Sequence, residues 1–191
     1  EYEIDVSHVD FRGKLKLSSL FLYFQDVATL HADNLGVGMK QMQEVYEALW
    51  VLVKMRVDIK RYPLWGERIT VETWPEKPRK LEFIRNFLVK DIQGNILASA
   101  VSSWVVIDIN TRRLKRVEPI FSVYPEETRK RPIDCKLGGF QPKGPLEMVY
   151  KRPVGYSDID VNEHLNNSRY IDFIMDCFSL EKHRNYSVES I

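Results

Sequence analysis

Residues 156 to 170 read YSDIDVNEHLNNSRY, and within them Asp160, Asn162 and His164 stand two positions apart. On an extended or irregular loop, that i, i+2, i+4 spacing turns three polar side chains the same way. An apolar helical pattern follows at once, and a helix N-terminus offers unpaired N–H groups that can polarise a carbonyl. A histidine in that setting can act as a base near neutral pH, and an asparagine can orient water or hold an oxyanion. The same residue types also make ordinary turns and caps, and Asn166 or Asn167 would suffice to satisfy the first free N–H groups of the helix. The candidate chemistry therefore rests on Asp160, Asn162 and His164.

The elements that must position these groups are legible as periodicities. SSLFLYFQDVATLHADNLG places Leu20, Tyr23, Phe24, Val27, Ala28 and His31 at helical spacing, with Ser18 or Ser19 as N-cap and Gly36 as stop. A short helical stretch, MKQMQEVYEA, leads into WVLVKMRVDIKRYP, where Val51, Val53, Met55, Val57 and Ile59 alternate with more polar neighbours. That alternation predicts a strand with one face buried. ERITVETW predicts another strand, and LEFIRNFLVKD turns through IQGN into ILASAVSSWVVIDI as a hairpin, Gly94 supplying the positive φ. One helix followed by at least four antiparallel strands is an α+β unit.

The pattern then dissolves, and five of the nine prolines fall between Pro119 and Pro145. Residues 110–145 accordingly read as a linker lying across a surface, between a first unit at 1–109 and a second beginning at 146. In the second unit LEMVYKRPVGYS has strand character, and NNSRYIDFIMDCF is helical with Tyr170, Ile171, Phe173, Ile174 and Phe178 on its apolar face. Laying residues 6–24 over 156–174 without a gap pairs Ser7 with Ser157, Asp10 with Asp160, Leu15 with Leu165 and Ser18 with Ser168. Both stretches run lead, loop, apolar helix, so a duplicated domain is expected. Where the second copy carries Asn162 and His164, the first carries Arg12 and Lys14. The polar cluster belongs to one copy, which predicts one active unit and one structural or substrate-shaping unit.

Composition bounds the rest. A hydrophobic content of 44% supports real cores, and 28 basic against 27 acidic residues leave no excess charge for a polyanion such as nucleic acid. Cys135 and Cys177 lie far apart with no CxxC and no histidine at ligand spacing, which argues against a disulfide framework and a structural zinc site and fits a reducing compartment. No apolar run approaches the ~18 residues of a spanning helix, and the N-terminal EYEIDVSHVD lacks the regions of a signal peptide. No nucleotide-binding loop is present, and no metal or cofactor is expected.

YSDIDVNEHLNNSRYIDF resembles the signature of the acyl-acyl-carrier-protein thioesterases, S-D-x-D-x-N-x-H-x-N-N-x-x-Y ahead of a central helix, and WVLVKMRVDIKRYPLWGERITVETWP resembles that family's first-domain strand pair. The resemblance covers nearly the whole chain. It implies tandem hot-dog domains, each a long helix wrapped by an antiparallel sheet, and hydrolysis of fatty acyl thioesters on acyl-carrier protein (ACP), which ends fatty-acid synthesis. It also implies that Asp160, Asn162 and His164 are catalytic. The family places a further Cys or Glu about 35 residues beyond the histidine, and this chain has no position 199. Cys177, inside the helical pattern, reads as a small buried thiol instead. Strands of the second unit would likewise fall beyond residue 191, so the sequence is expected to be a truncated or partial version of a longer chain, or to take the missing sheet from a partner.

On this reading the acyl chain threads between the first helix and its sheet, with Leu20, Tyr23, Phe24 and Val27 as candidate wall residues, although such residues are core by default. ACP is acidic, so a basic docking face is needed. Arg112, Arg113, Lys115 and Arg116 are its candidates, with the run at 129–131 as a second. A homodimer is one assembly open to the chain. The expected location is the cytoplasm, or the plastid stroma for a plant protein whose leader has been removed. Two other classes stay open: a hot-dog acyl-CoA thioesterase, and a non-catalytic hot-dog protein that only binds acyl chains.

Overall fold

The computed structural model describes residues 1–125, 129–139 and 142–191, so residues 126–128 and 140–141 of the expected linker lie outside the described residues. The chain begins with β1 (Tyr2–Glu3), a 3-10 turn (Val6–His8), helix α1 (Leu17–Asn34) and helix α2 (Met39–Tyr46). Four strands follow: β2 (Ala48–Ile59), β3 (Arg68–Pro75), β4 (Phe83–Asp91) and β5 (Ile96–Asp108). Beyond them come α3 (Glu118–Val123), a second 3-10 turn (Tyr156–Asp158), α4 (Asn167–Asp176) and α5 (Leu180–Asn185). The strands form one antiparallel sheet in the order β1-β3-β4-β5-β2.

Helix α1 lies on one face of this sheet because its apolar side chains recur at helical spacing while those of the strands alternate. Leu20, Tyr23 and Phe24 are buried in a single core with Val57, Val71 and Val89, and the Phe24 ring sits 4.8 Å from that of Phe87. A helix packed on an antiparallel sheet is the α+β hot-dog arrangement expected from the sequence. The helix starts two to three residues earlier than expected: Lys16 is the N-cap, and Ser18 and Ser19 lie buried in the first turn. Burial of Leu17 at 3% exposure draws the start forward. The β4–β5 hairpin turns at Gly94, whose φ of 84° is favourable only for glycine, and Asp91 Oδ1 secures it by accepting from the N–H groups of Gln93 and Asn95.

Other expectations need correction. The alternation in β2 breaks at Val53, which is half exposed where the register against β5 shifts between Leu52 and Lys54, a one-residue bulge that removes Val53 from the buried face. The linker contains α3, started by Pro119 in its first turn, whose Ile120 is buried with Val37, Met42 and Phe83. Farther on, Arg131 makes two hydrogen bonds to Glu76, and Ile133 covers Ile84 and Val101. The stretch 146–157 forms no strand, and Leu146 and Met148 are largely exposed. Alternating side chains make a strand only where a neighbour supplies the ladder, and this stretch has none among the described residues.

The second copy of the repeat packs onto the first. Ile171 of α4 joins the core of α1, while Tyr170 and Ile174 are about half exposed and Phe173 lies under the Arg152 guanidinium at 4.3 Å. Residues 189–191 add to the outer edge of β2, with Val57 and Ile191 exchanging hydrogen bonds of 2.9 and 3.0 Å. Cys177 is exposed at the C-terminal end of α4 rather than buried, its Sγ 3.2 Å from the Phe173 carbonyl oxygen. The helical period predicted its helix but not its solvent-facing side. Among the described residues no helix is long and apolar enough to cross a membrane.

Candidate active site

The duplicated loops are alike bond for bond. In the first, Asp10 Oδ1 accepts from the main-chain N–H groups of Arg12 (2.8 Å) and Lys14 (3.2 Å). In the second, Asp160 Oδ1 accepts from those of Asn162 (2.8 Å) and His164 (3.3 Å). The Asp10 N–H donates to the Lys14 carbonyl and the Asp160 N–H to the His164 carbonyl, both at 2.8 Å. Each loop is closed by a bridge, Val9 to Leu15 or Ile159 to Leu165, and each follows a 3-10 turn. The residue after the variable position is left-handed in both, Gly13 with φ 71° and Glu163 with φ 60°. Since Asp10 makes these bonds in the copy that lacks the asparagine and histidine, the aspartate builds the loop. Asn162 and His164 are what the second copy adds.

The loop leads into α4, whose N-cap is Asn166, its Oδ1 accepting from the Ser168 N–H at 2.9 Å. Of the two asparagines expected as possible caps, this one caps. Asp158, buried just upstream, accepts from the Gly155 N–H and pairs with Arg152, and these two partners in that order hold its carboxyl below the ordinary carboxylate range. His164 is exposed on its loop, and Asn162 is half-buried.

Asp160, Asn162 and His164 border one side of a cavity of about 990 Å³. Its other walls come from α1, α2, β2, β4 and β5, with α4 contributing Tyr170 and Ile171. The α1 wall is Phe21, Gln25, Ala28, Thr29 and Ala32, and Leu20, Tyr23, Phe24 and Val27 are not part of it. Those four expected wall residues point into the core between α1 and the sheet, where Leu20, Tyr23 and Phe24 are nearly solvent-free. The helix is covered on two sides, so its period marks both stripes alike. Gln25 and Thr29 are polar residues on the cavity stripe, but Asp26 and His31 interrupt the apolar pattern of the helix as well, so the sequence held no distinct signal for that stripe.

Arg85 lines the same cavity and is only 5% exposed. Its guanidinium lies 3.2 Å from His31 Nδ1 and donates to Thr73 Oγ1 at 3.2 Å. Among the described residues no carboxylate pairs with it. Burial lowers its pKa from the usual guanidinium value and raises that of Tyr124. Asn162 also has a partner the sequence did not suggest: Gln43 Nε2 of α2 donates to its Oδ1 at 3.2 Å. Among the described residues no three His, Cys, Asp or Glu side chains come together so as to hold a metal ion.

The expected basic patch is partly neutralised. Lys115 pairs with Asp108 at 2.9 Å, and Arg116 bonds Glu118 and stacks on Phe121 at 4.3 Å, which leaves Arg112 and Arg113 as exposed cations. In the second run Arg131 is paired with Glu76, and Arg129 stacks on Trp74 at 4.4 Å.

Comparison with known proteins follows the same division of the chain. Residues 1–123 match the sequence profile of the acyl-ACP thioesterase N-terminal domain, and residues 147–191 match that of the C-terminal domain. A palmitoyl-acyl carrier protein thioesterase, chloroplastic, from Cuphea hookeriana is 32% identical over 179 residues, covering 84% of this chain and 41% of that protein. The chain thus spans about two fifths of the length of the curated relatives it matches. Among solved structures, an acyl-ACP thioesterase from Bacteroides thetaiotaomicron superimposes with a TM-score of 0.80 at 29% identity, over 99% of this chain and 76% of that one. The 12:0-ACP thioesterase from Umbellularia californica shares the fold at a TM-score of 0.83 and 22% identity, over 99% and 77%. With more than half of its residues matched by the family's N-terminal domain and most of the remainder by its C-terminal domain, the chain belongs to the acyl-ACP thioesterase family.

Proposed function

We propose that the full-length protein hydrolyses fatty acyl thioesters carried on ACP, releasing free fatty acid and ending chain elongation. The observation that carries this reading is that Asn162 and His164 border a cavity of about 990 Å³ whose walls are largely apolar side chains of the first unit. An acyl chain in that cavity brings its thioester to the loop of the second unit. Water then attacks the thioester carbon as His164 takes its proton, and the C–S bond breaks as the sulfur leaves and is protonated. The Asn162 amide donates to the carbonyl oxygen as charge develops on it. Asp160 holds the loop, and α4 presents its positive end behind it. In this reading residues 1–109 shape the substrate, 110–145 link, and 146–191 open the catalytic unit.

Docking falls to Arg112 and Arg113, the exposed cations of their run, facing an acidic carrier protein. Such surface attraction weakens with salt, so KM for acyl-ACP should rise with ionic strength and on replacing both arginines by glutamate. The reaction belongs where ACP carries growing chains: the cytoplasm, or the plastid stroma in a plant. The deciding experiment compares hydrolysis of acyl-ACP and acyl-CoA of matched chain length by the full-length protein. Preference for acyl-ACP supports the proposal, preference for acyl-CoA points to a CoA thioesterase, and binding without turnover points to an acyl-binding protein.

A further inference from the structure

We infer that Gln43 is a positioning residue that fixes which end of the Asn162 amide faces the cavity, an inference that rests on the function proposed above. Gln43 donates to Asn162 Oδ1 at 3.2 Å from a position 119 residues earlier in the chain. Met39 and Met42 of the same helix line the cavity and Gln43 does not, so Gln43 bears on the cavity through Asn162.

The main chain of Asn162 is already held by Asp160, which leaves side-chain rotation as the freedom that matters. An asparagine amide presents an acceptor at one end and donors at the other, in nearly equal shapes, and a half-turn exchanges them. With Gln43 donating, turning the Asn162 amide alone would set Nδ2 against Nε2, donor against donor, so Asn162 can reverse only if Gln43 turns with it. In the arrangement seen here Oδ1 faces Gln43 and Nδ2 is left for the cavity, the end that can stabilise negative charge on a thioester oxygen.

The other copy of the loop supports the geometry independently. Arg12 occupies the position of Asn162, and its Nη1 donates to the His183 carbonyl of α5 and to the Tyr186 carbonyl, the latter at 3.0 Å. Helices α2 and α5 are the second helices of their units. In both copies this loop position is tied to the second helix of the opposite unit. In the first loop the tie engages the charged head of Arg12, which Asp10 also holds at 2.8 Å. In the second it engages only the acceptor end of an amide, leaving the donor end for chemistry. The first unit thus does more than wall the acyl chain: it orients a group of the loop that hydrolyses it.

The test measures steady-state acyl-ACP hydrolysis and thermal unfolding of the full-length protein carrying Gln43→Ala, Gln43→Glu or Gln43→Lys, with Gln43→Ala also combined with Asn162→Ala. Gln43→Ala is expected to lower kcat about five- to tenfold, the worth of one such hydrogen bond, with KM unchanged within about twofold. Alanine suits a helix, so unfolding should not move downward. Glutamate offers only acceptors and should do no better than alanine, whereas lysine restores a donor and should recover most of the rate. In the Asn162→Ala background Gln43→Ala should cost nothing further, because the group it orients is gone. Wild-type kcat in Gln43→Ala, a full rate in Gln43→Glu, or an additive loss in the double variant would each overturn the inference while leaving the proposed function standing. A wild-type rate in Asn162→Ala would instead remove Asn162 from the proposed function and this inference with it.

Discussion

Replacing Asp160 separates a carboxylate that builds a loop from one that does chemistry. Its Oδ1 accepts two main-chain N–H groups, at 2.8 Å from Asn162 and 3.3 Å from His164, of which the first is a full charge-assisted bond and the second lies at the long edge of the range. The loop is partly exposed, so N–H groups released by Asp160→Ala can turn to water, and the net loss is set at about 1–2 kcal/mol. For a chain of this size that lowers Tm by roughly 2–8 °C. The rate should suffer far more, on the order of 100-fold in kcat, because displacing Asn162 and His164 by about 1 Å is enough to spoil their alignment. Asp160→Asn keeps an oxygen acceptor in place and should stay within about tenfold of wild type. The control is Asp10→Ala, which removes the same two bonds at 2.8 and 3.2 Å together with the Arg12 ion pair, and should lower Tm at least as far while kcat stays within a few-fold. Acyl-ACP hydrolysis and thermal unfolding of the three variants give the answer. If Asp160→Asn is as inactive as Asp160→Ala while unfolding at the wild-type temperature, the carboxylate charge does the chemistry, and the structural reading of Asp160 is refuted.

His164→Ala should abolish most acyl-ACP hydrolysis without changing the unfolding midpoint, since the residue is exposed on its loop; a folded variant with near-normal turnover would remove His164 from the mechanism. Ala28→Phe should shift the preferred acyl length downward by filling the α1 wall of the cavity, whereas Leu20→Ala should cost about 2–5 kcal/mol of stability and leave length preference unchanged, as product profiles and denaturant melts will show. Tyr62 donates to the Val188 carbonyl, and burial pushes its pKa from 10.0 up to about 12, so the fold favours its neutral form. Its contribution is fully present below pH 10 and is lost as pH rises through about 12. Wild type should therefore lose more stability than Tyr62→Phe over that interval, and equal losses would show that Tyr62 does not couple to folding.

What could be read in the sequence was local. The Asp160 loop and its copy at Asp10 were visible because their hydrogen bonds join residues two and four apart, so the chemistry that shapes them is written within one short stretch. The long helix, β2 and β3 were visible because each buries a periodic face, and β4 and β5 because two apolar runs flank a turn at Gly94. Contacts made at a distance were not. Gln43 meets Asn162 across 119 residues, and Arg85 reaches His31 across 54, and neither residue stands out among its neighbours. Helix α1 is covered on two sides, so periodicity found its apolar residues and could not tell the core stripe of Leu20 and Phe24 from the cavity stripe of Phe21 and Ala28. Residues 146–157 have the alternation of a strand but no neighbouring ladder, which is a fact about the assembled fold.

β1 and residues 189–191 lie at opposite margins of one sheet, β1 beside β3 and residues 189–191 beside β2. Five inter-strand spacings separate them, about 24 Å measured along the sheet. Force applied between β1 and residues 189–191 would therefore run across the strands rather than along them. It would load the hydrogen bonds one after another, peeling 189–191 and β1 away before the β4–β5 hairpin bears any force, so that the molecule behaves under tension as a zipper and yields at low force. Since Ile191 both pairs with the β2 edge and lines the cavity, the first tooth of that zipper to open is also a margin of the cavity.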